Sequence, residues 1–148
     1  MNFFKNLVKD KSVEKKNDSK KQTEIKENVW QDRMIKFDVR MTELQMCPGE
    51  EIVDSMNNVE DTKGNNGDKG SLIITNLRLM WFCDFDRHIN LTIGYDCVIS
   101  NEIKDVNSIL RGGMTQCLNL RTKYQNSRYE FVFTCGVEEI QGRLFQTF

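Results

Sequence analysis

From residue 51 to residue 135 the chain is a succession of short β-type runs broken by turn signals, with no long amphipathic helical pattern among them. Runs of this length and spacing cannot form a parallel α/β sheet or a helical bundle. They predict a small two-layer sandwich or barrel that buries alternate side chains. Seven strands are expected, at residues 51–56, 71–75, 78–83, 88–95, 97–103, 115–121 and 127–135. The fourth alternates cleanly: Ile89, Leu91, Ile93 and Tyr95 share one face, His88, Asn90, Thr92 and Gly94 the other. In the seventh, Tyr129, Phe131, Phe133 and Cys135 lie opposite Arg128, Glu130 and Thr134. Asn76-Leu77 joins two apolar runs as a tight hairpin, since asparagine tolerates a left-handed backbone. Ile35, Phe37 and Val39 alternate with Lys36, Asp38 and Arg40 in a further short strand. Residues 41–46 form a helical turn, and Pro48-Gly49 marks a turn. The core centres on Trp81, with Leu72, Ile74, Leu91 and Phe131 near it.

Residues 1–29 have a different character. Eight lysines, at positions 5, 9, 11, 15, 16, 20, 21 and 26, are interleaved with Asp10, Glu14, Asp18, Glu24 and Glu27. Between Ser12 and Glu24 the only large apolar residue is Val13, so ordering the segment would cost more than burial returns. It is expected to be a disordered lysine-rich tail. Phe3, Phe4, Leu7 and Val8 allow two readings, a frayed terminus or one apolar face against a membrane or partner. The folded unit is expected over residues 30–148.

Several classes of chemistry are excluded. The net charge is −1, so no global field favours nucleic acid. No apolar run approaches the ~18–20 residues that span a bilayer, and the start at residues 1–8 is apolar too briefly to read as a signal sequence. The five cysteines, Cys47, Cys83, Cys97, Cys117 and Cys135, form no C-x-x-C pair. They are expected as reduced thiols, four of them within strands. Gly64, Gly67 and Gly70 do not complete a phosphate-binding P-loop, and Lys63 and Asn65 spoil a calcium-loop register. One histidine, His88, cannot assemble nucleophile, base and orienter, so no catalytic residue, metal site or cofactor is expected. Asn90-Leu91-Thr92 fits a glycosylation sequon but falls within a strand of an apparently intracellular chain. The expected class is a soluble, intracellular, all-β binding module that is not an enzyme.

One long stretch is more specific. Glu60-Asp61-Thr62-Lys63-Gly64-Asn65-Asn66-Gly67-Asp68-Lys69-Gly70, followed by Leu72, Thr75-Asn76-Leu77-Arg78 and Trp81, resembles the Bardet–Biedl syndrome 5 family. So do Gly94-Tyr95 with Cys97, Leu110-Arg111-Gly112, and the run from Ser127 to Thr134. The resemblance covers residues 30–145. It implies a pleckstrin-homology-like (PH-like) domain, a bent seven-stranded barrel closed at one end by a C-terminal helix. It implies a non-enzymatic subunit of the BBSome, the coat-like complex that moves membrane proteins into and out of cilia and supports cilium assembly. The implied partners are other BBSome subunits and phosphoinositide membranes, notably those with phosphatidylinositol 3-phosphate. The implied locations are the cytoplasm, the cilium, its basal body and the cytoplasmic face of the ciliary membrane. The chain departs from the family in its longer lysine-rich start and in lacking a second PH-like domain. It is expected to stop where the capping helix should begin.

A phosphoinositide site needs converging cations. In PH-like domains three loops form the open end, and here they supply Lys63 and Lys69, Arg87 and His88, and Lys123 and Arg128. Asp61, Asp68, Asp84 and Asp86 lie in two of the same loops and oppose that field. A weak, avidity-dependent lipid site and no lipid site both remain open, and so does a standalone PH or GRAM-like lipid module. The loop residues Asp61, Asn65, Asn66, Gly67 and Asp68 are candidates for partner contact, against a plain connection between strands. Arg78 is either a partner contact or a brace for carbonyls beside its turn.

Overall fold

The computed structural model describes residues 31–62, 64 and 67–148. The expected tail at 1–29, Trp30, Lys63, Asn65 and Asn66 lie outside the described residues. Eight strands are present among the described residues: β1 (Ile35–Phe37), β2 (Ile52–Asp61), β3 (Lys69–Thr75), β4 (Arg78–Cys83), β5 (Asn90–Gly94), β6 (Val98–Ser108), β7 (Gly113–Tyr124) and β8 (Ser127–Cys135). Single 3-10 turns occupy Met41–Leu44 and Tyr95–Cys97, and one helix, α1, spans Glu138–Thr147. The strands form one antiparallel sheet in the order β1-β5-β4-β3-β2-β8-β7-β6. Leu72, Trp81 and Leu91 from one half share a buried cluster with Leu118, Leu120, Phe131 and Phe133 from the other, so the sheet curls round a single core. Phe37 on the edge strand β1 meets Tyr129 and Phe131 of β8, with ring centroids 5.8 and 6.2 Å apart.

Trp81 is fully buried and is paired in register with Leu72 on β3 and Leu91 on β5. Its indole N–H donates to the Val59 carbonyl at 3.0 Å, so burying the ring leaves no polar atom unpaired. Gly70 makes room for that ring: a Cβ there would stand 2.5 Å from Trp81 Cε2. Cys83, Cys117 and Cys135 lie in strands, while Cys97, expected in a strand, closes the 3-10 turn before β6; all four are buried free thiols, and burial pushes Cys135 up to about 11.

Three expectations change. The first strand of the set runs on to Asp61, because Asn58 adopts a positive φ of 58° and a bulge between Met56 and Val59 breaks the alternation visible in the sequence. The strand expected at 97–103 continues to Ser108 as a sheet edge whose residues are mostly exposed on both faces, which hides its period of two. The capping helix expected to be missing is present as α1. Its local signal is weak: Gly142 sits mid-helix, and no side chain caps its start at Val137. Tertiary packing holds it instead, through fully buried Leu144 and through Ile140 and Phe145 against the core.

Candidate contact and anion sites

The β2–β3 loop is built from its first two residues. Asp61 is buried. Its Oδ1 accepts the Gly64 N–H at 3.1 Å, and its carbonyl accepts the Gly67 N–H at 3.3 Å. Gly67 has a φ of 81°, and a Cβ there would meet Glu60 Oε1 at 2.7 Å, so conformation and space both require glycine. Glu60 points to the side of the sheet away from the core, yet it is fully buried. Its carboxylate accepts the Ser108 hydroxyl, the N–H groups of Ile109 (3.1 Å) and Leu110 (3.3 Å), and the Thr134 hydroxyl (3.0 Å). The Arg111 N–H donates to Ser108 Oγ at 3.1 Å, and Arg111 Nη2 donates to Gln141 Oε1 on α1 at 2.9 Å. Gln141 in turn donates to the Gln116 carbonyl at 2.6 Å. One polar chain therefore ties the root of the β2–β3 loop to the β6–β7 tip and to the start of α1. Such a network rigidifies what it joins where its members are satisfied; among the described residues the Arg111 Nε is buried without a hydrogen-bond partner.

Two partner-contact candidates have internal roles in the fold. Asp61 uses Oδ1 and its carbonyl to hold Gly64 and Gly67 of its own loop. Arg78 is 4% exposed. It meets Glu50 in a two-pronged ion pair, Nε to Oε1 at 2.9 Å and Nη2 to Oε2 at 3.1 Å, and it also donates to the carbonyls of Glu43 (3.2 Å) and Gln45 (2.8 Å). It is the brace, holding the 3-10 turn after β1 to the β3–β4 hairpin. Burial acts to raise the Glu50 carboxyl, but Arg78, the Cys47 N–H and the Thr75 hydroxyl outweigh it and hold that carboxyl below its ordinary value. Gly67 is half-buried, and Asp68 is exposed at the loop's end.

The cationic candidates among the described residues fall into two groups. Lys69 opens β3, and its carbonyl accepts the Asp84 N–H at 3.0 Å, which brings it beside the β4–β5 loop carrying Arg87 and His88. Arg87 lies over the ring of Phe82, 5.0 Å from its centroid, and His88 Nδ1 stands 3.0 Å from Asp86 Oδ1. Lys123 and Arg128 form the other group, directly opposite each other on β7 and β8. Arg128, Arg121 and Glu130 help line an open groove of about 490 Å³ with Ile99 and Tyr129. Its charge is partly neutralised: Arg121 pairs with Glu102 at 2.8 Å, and Lys104 pairs with Glu130 at 2.6 Å. Asn90, the sequon residue, is buried, and its side-chain amide serves Val39 and Arg87.

Residue-type reasoning missed Glu50, Glu60, Ser108 and Gln141. A buried carboxylate looks like any surface glutamate until the strands around it are known. Among the described residues, no group of three His, Cys, Asp or Glu side chains could hold a metal ion, and no helix is long and apolar enough to cross a membrane.

Comparison with known proteins gives the family. Residues 50–148 match the family model described as the Bardet–Biedl syndrome 5 protein N-terminal PH-like domain. The chain is 44% identical over 106 residues to "BBSome complex member BBS5" of Xenopus laevis, covering 72% of this chain and 29% of that protein. It is 41% identical to the Homo sapiens protein of the same name, covering 72% and 31%. It is 37% identical over 126 residues to "BBSome complex member bbs-5" of Caenorhabditis elegans, covering 82% and 35%. The chain thus spans about a third of the length of these relatives. Among solved structures, the Vps36 N-terminal PH domain aligns with a TM-score of 0.49 and 20% identity, over 70% of this chain and 78% of that one. With the family model matched across β2 to α1 and relatives this similar over most of its length, the chain belongs to the Bardet–Biedl syndrome 5 family and carries that family's PH-like domain.

Proposed function

We propose that the chain is a fixed, non-enzymatic part of the BBSome, with protein assembly as its main task and phosphoinositide contact as a secondary one. Its place of work on this reading is the cytoplasm, the cilium, the basal body and the cytoplasmic face of the ciliary membrane. There it supports cilium assembly and the transport of membrane proteins. The observation that carries the reading is the shared name of its relatives, each a BBSome complex member at 37–44% identity. The electrostatics support it. A domain that searches membranes alone gains encounter rate from a positive face. Here the candidate cations sit beside Asp84, Asp86, Glu102 and Glu130, and the net charge is −1. A domain held in an assembly has no need of such a face, because weak contacts add through avidity.

In this account the loop around Asn65, Asn66, Gly67 and Asp68 touches a partner subunit, on a base that the Glu60 network holds still. Replacing Asn65-Asn66-Gly67 by a Gly-Ser segment in the tagged full-length protein should leave the domain folded and lower recovery of the other subunits from ciliated cells. Undiminished recovery would reduce the loop to a connection. The groove beside Arg128 favours a second reading, a standalone PH or GRAM-like phosphoinositide module. That reading requires strong vesicle binding without any other subunit present.

A further inference from the structure

The β4–β5 loop displays an aromatic side chain to solvent. Phe85 is 86% exposed, more than any other large hydrophobic residue among those described. Its loop is tightly held. The Asp84 N–H donates to the Lys69 carbonyl at 3.0 Å, and Asp84 Oδ1 accepts the Ser71 hydroxyl at 3.1 Å. Asp86 Oδ1 accepts the His88 N–H at 2.9 Å, and the Asp86 carbonyl accepts the Ile89 N–H at 3.0 Å. The Asn90 amide closes the loop on the Arg87 carbonyl at 2.9 Å. An aromatic on a pre-ordered loop loses little freedom on binding, the condition under which one side chain dominates an interface.

We propose that Phe85 is the anchor of a protein contact, entering an apolar pocket on a partner whose rim is basic. The rim chemistry follows from the neighbours. Asp84 and Asp86 flank Phe85 in sequence, and Arg87, the cation two residues on, lies over the Phe82 ring. An anionic lipid surface would meet those two carboxylates first, at a like-charge cost, whereas lysine or arginine around a pocket would pair with them. The inference rests on the assembly reading above and assigns it a second contact, distinct from the β2–β3 loop.

The experiment uses the tagged full-length protein in ciliated cells lacking the endogenous copy. Three forms are compared: wild type, Phe85→Ser, and Asp84→Asn with Asp86→Asn, which keeps the hydrogen-bond acceptors and removes the charge. Thermal melts establish that all three fold. Phe85→Ser should lower recovery of other BBSome subunits roughly tenfold or more, and the double Asn form should make the remaining recovery less sensitive to salt. In parallel, the same proteins are sedimented with phosphatidylcholine vesicles containing phosphatidylinositol 3-phosphate, where Phe85→Ser should match wild type. Full subunit recovery with Phe85→Ser, beside normal recovery with wild type, overturns the Phe85 contact and leaves the assembly reading standing. Loss of vesicle binding with intact subunit recovery also overturns it and assigns Phe85 to the membrane. A wild type that recovers no other subunit overturns the assembly reading and this inference together.

Discussion

Trp81 and Gly70 together give the sharpest test of the core. The indole is fully buried, stacked in register between Leu72 and Leu91, and its N–H satisfies the Val59 carbonyl. Trp81→Ala removes the ring and leaves a cavity, at about 3–5 kcal/mol, and orphaning the carbonyl adds about 1–3 kcal/mol. Against a total stability of about 5–15 kcal/mol, that substitution takes the domain to the edge of unfolding. Gly70→Ala attacks the same contact from the other side. Its Cβ would lie 2.5 Å from Trp81 Cε2 and would also press on the Phe82 carbonyl, an overpacking cost of about 1–3 kcal/mol. In a Trp81→Phe background the ring part of that clash is gone and only the carbonyl part remains. The two changes should therefore couple, the double mutant being less destabilised than the sum of the singles. Urea unfolding followed by far-ultraviolet circular dichroism measures Trp81→Ala, Trp81→Phe, Gly70→Ala and the double mutant of the last two. Strict additivity, or a Trp81→Ala midpoint equal to wild type, would refute the packing described.

Other consequences are equally direct. Arg78→Met strands the buried Glu50 carboxylate and should cost about 3–5 kcal/mol, read from the same urea curves. Because Glu50 is held below its ordinary value, its pairing stabilises the fold above the unfolded carboxyl value of about 4.3. That contribution is lost as pH falls through the folded value, so Glu50→Gln should be less acid-sensitive than wild type across that window. Glu60→Ala leaves the Ile109 and Leu110 N–H groups without their acceptor, and both amides should exchange faster with deuterium while those of β4 stay protected. Changing Lys69, Lys123 and Arg128 together to Ala should abolish whatever weak, salt-dependent phosphoinositide binding the domain has. Vesicle sedimentation that persists would move the lipid site elsewhere, with the lysine-rich residues 1–29 the first place to look.

The sequence disclosed the strands because β3, β4, β5 and β8 carry clean apolar patterns and are bounded by turn residues. It hid what depends on long-range partners. The strand expected at 51–56 stops short of Asn57-Asn58, yet these residues form a bulge inside β2, made possible by the left-handed Asn58. Residues 142–148 read as the start of an element cut short, since Leu144 fills the core only once the sheet has curled beneath it. Arg78 could be brace or contact until Glu50, 28 positions earlier, was seen against it. The lysines and arginines of the candidate anion loops could be counted, but their placement is a matter of sheet geometry: the Lys69 backbone pairs with the start of the loop that carries Arg87 and His88, and Lys123 faces Arg128 across β7 and β8. Phe85 drew no reading from the sequence, and its exposure shows only in the fold.

The central claim is membership of an assembly, and it is tested most directly from the partner's side. The BBSome would be captured from ciliated cells through a tag on a different subunit and quantified by mass spectrometry, with and without a high-salt wash. The account predicts that the protein carrying this sequence is recovered in constant proportion to the other subunits, and that the proportion falls when Asn65-Asn66-Gly67 or Phe85 is replaced. Its absence from the captured complex, while it still sediments with phosphoinositide vesicles on its own, would contradict the account and identify a free lipid-binding module instead.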